Sequence, residues 1–288
     1  MNWFFNFPFK IPFDVTVIDE VVRDFSIKYD AFFSGIKRLL NGMILIVQKG
    51  LNYIPWWVFI LVVIILGWKL SGKLRNGIIY ACFLSLIGFF GLWDLMLETL
   101  SIVVTSVLIS IIIGFPIGII ISKSERINRI VRPILDMMQT MPVFVYLIPA
   151  LLFFGLGKAP AVIATTIYAV VPLIRLTNHG IRQVDKEVVE ASIAFGSTGF
   201  QTLYKVQIPQ ALPTIMTGLN QTLMMAMSMV VTCSMIGASG LGMEVLIGVN
   251  RLEMGRGLVA GTAVVIIAII LDRITQGFVR AEEVSNNV

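Results

Sequence analysis

Seven long apolar runs constrain the fold of this chain more than any other feature. Each run is close to the roughly 20 residues that an α-helix needs to cross a bilayer. Only 14% of the 288 residues are charged, whereas a soluble domain carries about a quarter. The sequence therefore predicts an all-α integral membrane protein with about seven transmembrane helices. The runs span 54–69, 76–92, 95–122, 133–156, 160–178, 211–236 and 257–276.

The fourth and fifth runs contain internal prolines, namely Pro142, Pro149 and Pro172. Proline removes a helical hydrogen bond and bends or breaks the helix that contains it. Two interpretations remain open. The runs form broken helices that line a pathway, or they form kinked helices that neighbouring helices tolerate.

The segment before the first run, residues 1–52, has an amphipathic second half. Its apolar residues recur at helical spacing between 29 and 46, opposite Lys37, Arg38 and Asn41. This pattern predicts a helix lying in the membrane interface. Packing of the same helix against the rest of the chain is an alternative, and the two are not exclusive. The apolar residues are Phe32, Phe33, Ile36, Leu39, Leu40, Met43 and Ile44.

Basic residues are concentrated in alternate loops, which indicates the orientation of the chain in the membrane. The loops on the opposite side carry only Lys158, Arg251 and Arg256. We therefore expect the amino terminus outside the cell and the carboxyl terminus in the cytoplasm. The basic residues assigned to the cytoplasmic side are Lys69, Lys73, Arg75, Lys123, Arg126, Arg129, Arg132, Arg182, Lys186, Lys205, Arg273 and Arg280.

A polar stretch between the fifth and sixth runs, 186–213, lies on the predicted cytoplasmic side. It opens with Asp185 as a short amphipathic helix, and the sequence Gly-Ser-Thr-Gly at 196–199 breaks this helix. A second short helix is predicted over 200–206, and Pro209 and Pro213 then mark the entry into the next run. We expect a helix-turn-helix lying flat on the membrane surface.

This stretch resembles a signature of the permease subunits of ATP-binding-cassette (ABC) importers, E-A-A-x3-G-x9-I-x-L-P. Here it begins Glu190-Ala191-Ser192, continues with Gly196 after three residues, and ends Val-Gln-Ile-Pro at 206–209. The three departures are conservative in size. An ordinary cytoplasmic connector with a fortuitous pattern is the alternative.

In that family the stretch is the coupling helix, which docks in a cleft of a separate ATPase subunit. The resemblance implies that Glu190 makes polar contacts there, that Ala191 and Ser192 are small enough to sink into the cleft, and that Gly196 makes the turn. The residues expected to couple to the ATPase are Glu187, Glu190, Ala191, Ser192, Gly196, Ser197 and Tyr204.

Further segments are similar to the permeases of glycine betaine/proline uptake systems, which import osmoprotectants. They are 133–149, the turn that begins at Phe195, Asn220-Gln221 and 237–242, and the similarity covers roughly 92–276. It implies the type I ABC importer permease fold in a bacterial cytoplasmic membrane. It also implies two permease copies as a homodimer, two ATPase subunits and a separate extracytoplasmic binding protein.

The expected organisation follows from this resemblance. Residues 1–52 form an extracytoplasmic segment, 53–92 form two peripheral transmembrane helices, 93–278 form the permease core with the coupling loop 182–209, and 279–288 form a cytoplasmic tail.

The residues show no catalytic chemistry. No G-x-x-x-x-G-K-[ST] loop is present, so we expect ATP and Mg²⁺ in the partner ATPase and no cofactor here. His179 is the only histidine and reads as a capping or surface residue. Cys82 and Cys233 lie in apolar runs and are interpreted as packing residues, so no metal site is predicted. The net charge of +5 is explained by the membrane topology, so no nucleic-acid partner is predicted.

Polar, aromatic and methionine side chains in the runs are candidates for the substrate pathway, because a quaternary amine suits aromatic faces. Helix capping explains Asp94 as well as substrate binding would, whereas Glu98 lies one turn deeper. Packing is the alternative for the aromatic and methionine residues. The candidates are Glu98, Thr140, Phe144, Tyr146, Tyr168, Asn220 and Met224.

Two other functions stay open. The first is an ABC permease of the same type that imports choline, carnitine or an amino acid instead of glycine betaine. In a different class, an ion-coupled secondary transporter would use the cytoplasmic loop only structurally, although no convincing inverted repeat is present.

Overall fold

The computed structural model describes residues 16–286, and every regular element in that range is helical. Residues 1–15 and 287–288 lie outside it, and with them the start of the predicted 1–52 segment and the end of the predicted tail. A π-helical turn, Leu203–Gln207, separates α10 from α11. The helices are α1 Thr16–Lys28, α2 Asp30–Tyr53, α3 Trp56–Ser71, α4 Leu74–Phe89, α5 Trp93–Ser122, α6 Glu125–Thr140, α7 Phe144–Phe154, α8 Lys158–Gln183, α9 Lys186–Ala194, α10 Gly199–Thr202, α11 Ile208–Ser234, α12 Leu241–Asn250 and α13 Met254–Asn286.

Helices α5, α8 and α11 form the centre of the fold and make the most extensive contacts among the described elements. Small residues allow close approach: a Cβ at Gly118 in α5 would lie 2.6 Å from Cβ of Thr177 in α8. The buried hydroxyls of Thr105, Ser106 and Ser110 donate to backbone carbonyls of their own helix. These hydroxyls therefore have hydrogen-bond partners within the helix and need none from an apolar environment.

Three described helices are long and apolar enough to cross a membrane: α5, α8 and the part of α13 from Met254 to Val279. Two further pairs, α2 with α3 and α6 with α7, pass the same test together but are bent by 90° and 91°. Length and composition thus give three to five spans, below the seven predicted from the runs. Helix α4 is too short for this test because it has only 16 residues. Helix α11 is long enough, but the polar Asn220 and Gln221 lower its hydropathy.

The fourth apolar run is not one helix, and this corrects the prediction for 133–156. Helix α6 begins at Glu125, inside the predicted loop, and ends at Thr140, where Met141 takes up an extended conformation before Pro142. Pro149 and Pro172 lie inside continuous helices. The broken-helix interpretation therefore holds at Pro142, and the tolerated-proline interpretation holds at the other two.

Helix α2 is the amphipathic helix predicted near the amino terminus. Leu40 and Ile44 are buried against Ile102 of α5 and Leu147 of α7. Leu39 and Ile46 are exposed on the other side. One face of α2 therefore packs on the rest of the chain, while the opposite face exposes large apolar side chains, as the interfacial helix requires.

The loop 237–242 brings α12 close to the chain's own helices. The backbone N–H of Leu241 donates to Oγ1 of Thr99 at 2.9 Å, and Gly240 has a φ of +115° that favours glycine. A Cβ at Gly242 would lie 2.4 Å from the carbonyl oxygen of Val230. These glycines thus seat α12 on α5 and α11.

Candidate coupling loop and transport path

The loop between α8 and α11, which contains the predicted coupling residues, begins with a capped helix. The carboxylate of Asp185 accepts a hydrogen bond from the backbone N–H of Glu187 at 2.9 Å, which satisfies one free donor at the start of α9. None of the residues of α9 is buried in this chain. The helix therefore starts where the sequence predicts, and most of its surface is available to a partner.

The turn after α9 depends on Gly196, which has a φ of +87°. The N–H of Ser197 then returns to the carbonyl of Ser192 at 3.1 Å. Thr198 and Gln201 form a capping box, in which the Thr198 N–H donates to Oε1 of Gln201 at 2.8 Å. The predicted break at 196–199 is confirmed.

The predicted second helix, 200–206, is wrong as a separate element. Helix α10 passes through the π-helical turn directly into α11, without a break at Pro209 or Pro213. Pro209 lies in the first turn of α11, and the adjacent π turn absorbs the change in hydrogen bonding. The loop is thus mechanically continuous with a central helix.

An exposed surface runs along α9, the turn and α10, and we call it the coupling surface. Phe195 is 91% exposed, and Ile193, Phe200 and Tyr204 are also exposed. A cluster of large exposed apolar side chains indicates an interaction site. Of the predicted coupling residues, Glu187, Glu190, Ala191, Gly196 and Tyr204 are exposed there, whereas Ser192 and Ser197 are partly buried.

A cleft of about 390 Å³ lies behind this surface and is lined in part by Lys123, Arg182, Lys186 and Glu190. Ser192 supports the surface from within, since its Oγ lies 3.2 Å from Oγ1 of Thr202. The side chain of Glu190 therefore faces both the exposed surface and a basic cleft between the ends of α5 and α8.

The structure brings two of the pathway candidates together. The rings of Tyr146 and Tyr168 have centroids 6.2 Å apart, at the interface of α7 and α8. The Tyr146 hydroxyl donates to the carbonyl of Met138, and the side chain is buried. Tyr146 thus has a packing role in this conformation. Thr140 and Phe144 flank the bend between α6 and α7, and both are exposed.

The other candidates lie apart from this pair. Glu98 forms an ion pair with Lys158 at 3.6 Å, and Lys158 also donates to Oε1 of Gln48 at 3.2 Å. Asn220 donates to Asp272 of α13, while Met224 lies one turn further along α11 with its side chain exposed.

Asp272 is a mostly buried polar residue that sequence reasoning missed. It accepts hydrogen bonds from Asn220 at 2.9 Å and from Gln276 at 2.8 and 2.9 Å. Its side chain is only 18% exposed. The signal was present, because Asp272 is the one acidic residue within the run 257–276.

A row of polar pairs between α6 and α8 was also missed. Arg182 pairs with Glu125, Asn178 donates to Asn128 at 2.9 Å, and Arg175 pairs with Asp136 at 2.6 Å. We call this row the α6–α8 polar seam. No group of three potential metal-ligating side chains occurs among residues 16–286.

Residues 106–283 match the family described as the binding-protein-dependent transport system inner membrane component. The chain belongs to this family. Its members are membrane permeases of ABC transporters. As an inner-membrane component of a binding-protein-dependent system, the permease works with an ATPase and a substrate-binding protein.

Curated relatives match nearly the whole permease. It is 48% identical to the glycine betaine transport system permease protein OpuAB of Bacillus subtilis, over 90% of this chain and 92% of the relative. It is 46% identical to the glycine betaine/carnitine transport permease protein GbuB of Listeria monocytogenes, over 91% and 93% of the two chains. Its identity to the glycine betaine/proline betaine permease protein ProW of Escherichia coli is 46%, over 92% and 75%.

The fold is that of a type I ABC importer permease. The permease aligns with a chain of the inward-facing MetNI methionine ABC transporter with a TM-score of 0.60 and 22% identity. The alignment covers 66% of this permease and 95% of that chain. A second crystal form of MetNI gives a TM-score of 0.56 over 64% and 93% of the chains. At this identity the likeness bears on the fold alone.

Proposed function

We propose that this permease is the membrane subunit of an ATP-driven importer for glycine betaine or a related quaternary amine. The names of the three relatives at 46–48% identity support this substrate class. More distant relatives add chemistry of the same kind, since one at 39% identity is a trimethylamine N-oxide permease protein. A fully methylated nitrogen is common to these substrates.

One structural observation supports the coupling mechanism: the coupling surface continues through α10 and the π-helical turn into α11. Because no helix end separates α10 from α11, a displacement of α10 would displace α11 as well. ATP binding in the partner ATPase would move α9 and α10, and α11 would then reorient against α5 and α8. Glu187 and Glu190 would make the polar contacts, and the exposed aromatic side chains would fill the ATPase cleft.

The assembly is proposed as a homodimer of permeases with two ATPase subunits and an extracytoplasmic binding protein. The exposed apolar faces of this single chain leave surface for a second copy and for lipid. The amino terminus outside and the carboxyl terminus in the cytoplasm remain our assignment, from the distribution of basic residues. This orientation puts the coupling surface on the ATPase side.

Carnitine, choline and an amino acid remain the alternative substrates. Carnitine has specific support, because relatives at 46% and 31% identity carry it in their names. Membership in a binding-protein-dependent family disfavours the ion-coupled secondary transporter.

Uptake of radiolabelled glycine betaine tests the proposal, in cells that lack their own importers and express the permease with its ATPase and binding protein. We expect saturable uptake that requires the ATPase. Unlabelled carnitine, choline and proline are added in turn to rank the substrates. If glycine betaine is not taken up in an ATPase-dependent way, whereas labelled choline or proline is, the quaternary-amine carboxylate is the wrong substrate class.

A further inference from the structure

A cavity of about 460 Å³ lies beside the α6–α8 polar seam, and neither the coupling mechanism nor the predicted pathway residues account for it. Its volume falls within the roughly 300–1,000 Å³ of small-molecule sites. Polar and basic side chains line much of the wall. They are Asn128, Arg132, Arg175, Asn178, His179 and Arg182.

The charge of this wall is unbalanced. Asp136 neutralises Arg175 and Glu125 neutralises Arg182, through the two ion pairs of the seam. Arg132 has no ion pair among residues 16–286 and is exposed. One guanidinium is therefore left over at a cavity that already contains two others, and this arrangement attracts an anion.

The wall also contains an unsatisfied polar atom. Oδ1 of Asn178 is buried without a hydrogen-bond partner, although the amide nitrogen of the same side chain donates to Asn128. Buried polar groups in folded proteins are nearly always satisfied. This oxygen is an acceptor, so a donor such as a water molecule would satisfy it, and an anion in the cavity would bind the guanidinium groups instead.

The position of the cavity connects it with the two other sites. Tyr168 precedes Arg175 by two turns of α8, about 10 Å at 1.5 Å per residue. Arg182 lines both this cavity and the cleft behind Glu190. A solute moving along α8 would meet Tyr168 first and the arginines next. Movement of the coupling loop would act on the cavity through Arg182.

We propose that this cavity receives the carboxylate of the transported zwitterion on the cytoplasmic side of the pathway, with Arg132 as the contacting residue. The inference rests on the proposed function. A guanidinium group holds a carboxylate through paired charge-assisted hydrogen bonds. The Tyr168 ring, two turns away on α8, suits the methylated cation at an earlier position of the solute. A phospholipid phosphate has the same anionic chemistry, so the test separates the two sources.

The test compares Arg132→Ala with Arg129→Ala in the whole complex, reconstituted in proteoliposomes with its ATPase and binding protein. Both arginines are exposed on α6, but Arg129 does not line the cavity. Loss of one charge-assisted contact is expected to lower glycine betaine uptake roughly tenfold in Arg132→Ala. Arg132→Lys should recover part of the loss. Uptake in Arg129→Ala should stay within about twofold of the unmutated complex. ATP hydrolysis stimulated by the binding protein should stay within the same range in both alanine variants.

A second measurement tests the charge of the cavity without relying on transport. His179→Cys places a thiol at an exposed position of the same cavity, in a Cys82→Ser background, and is labelled with anionic and cationic methanethiosulfonates. With Arg132 present, we expect the anionic reagent to be favoured and glycine betaine to slow labelling, and both effects should be lost when Arg132→Ala is added. Equal charge preference with and without Arg132, and no protection, contradicts the proposal.

The remaining outcomes distinguish a solute carboxylate from a phospholipid phosphate as the occupant of the cavity. Unchanged uptake in Arg132→Ala overturns the solute site. If this variant also retains less phospholipid after purification, the cavity holds a lipid headgroup. Failure of the unmutated complex to transport glycine betaine would instead contradict the proposed function.

Discussion

Asn220 of α11 donates a hydrogen bond to the carboxylate of Asp272 in α13, with 2.9 Å between Nδ2 and Oδ1. The same carboxylate accepts two hydrogen bonds from Gln276. A mostly buried charge is thus held between the helix that continues from the coupling loop and the last helix of the chain.

Replacing Asn220 by leucine should lower the stability of the permease. The carboxylate of Asp272 loses one of its donors, which costs on the order of 1 kcal/mol for a contact between membrane helices. We expect the Tm of the purified protein to fall by about 2–4 °C. Gln221→Leu is the control, because the neighbouring Gln221 side chain is exposed. Equal Tm values for the two variants would contradict this account of Asp272.

Gly196→Ala should reduce coupling without preventing folding. No other atom of this chain lies within 4 Å of an added Cβ, so the effect comes from the φ of +87°. A left-handed conformation costs an alanine roughly 1–2 kcal/mol, which should lower ATP-dependent uptake about tenfold. Asparagine, which tolerates this conformation, should be less harmful.

Gly199→Ala is the matched control for the turn. An added Cβ at Gly199 also meets no atom within 4 Å, and this glycine does not have a left-handed φ. Its uptake should stay close to that of the unmutated protein. If both alanine variants behave alike, backbone conformation at Gly196 is not what the coupling loop requires.

Gly242→Ala should destabilise the packing of α12 on α11. The new methyl group would lie 2.4 Å from the Val230 carbonyl and 2.5 Å from Oγ of Ser234, so α12 must move away from α11. Overpacking of this kind costs about 1–3 kcal/mol, measurable as a lower Tm. Gly42→Ala in α2 meets no atom within 4 Å and should be neutral or slightly stabilising. A Tm for Gly242→Ala equal to that of the unmutated protein would contradict the close contact between Gly242 and the Val230 carbonyl.

Lys158→Ala should loosen α2 from the core. Nζ of Lys158 contacts Glu98 of α5 and Gln48 of α2, so one side chain links three helices. Loss of about 1 kcal/mol of local stability should speed hydrogen exchange in the second half of α2 roughly fivefold. Lys49→Ala, an exposed lysine of α2, should leave exchange unchanged. Identical exchange in both variants would remove Lys158 from this role.

Local signals in the sequence predicted local structure well. Asp185, Gly196 and the Thr198–Gln201 pair act within a few residues of themselves, so the start of α9 and the turn after it could be predicted. The continuity of α10 with α11 could not, because Pro209 reads as a break unless the neighbouring π-helical turn is known.

Contacts between distant segments explain the other differences. The stretch from Glu125 to Arg132 looks like a charged loop, but its pairing with Asn178 and Arg182 makes it the first half of α6. Asp272 lies inside an apolar run, and only the fold shows that Asn220 is its partner. Helix α12 has 10 residues and cannot be recognised by a criterion based on the length of a membrane span.

The most direct test of coupled import is ATP-dependent glycine betaine uptake by the assembled complex carrying Glu190→Arg, with Glu190→Gln beside it. Glu190 lies between the coupling surface and a basic cleft. Arginine reverses its charge, whereas glutamine keeps its size. We predict that uptake requires the ATPase, falls at least tenfold with arginine and falls less with glutamine, at equal amounts of permease in the membrane. Uptake that persists without the ATPase and is unaffected by Glu190→Arg would contradict the account.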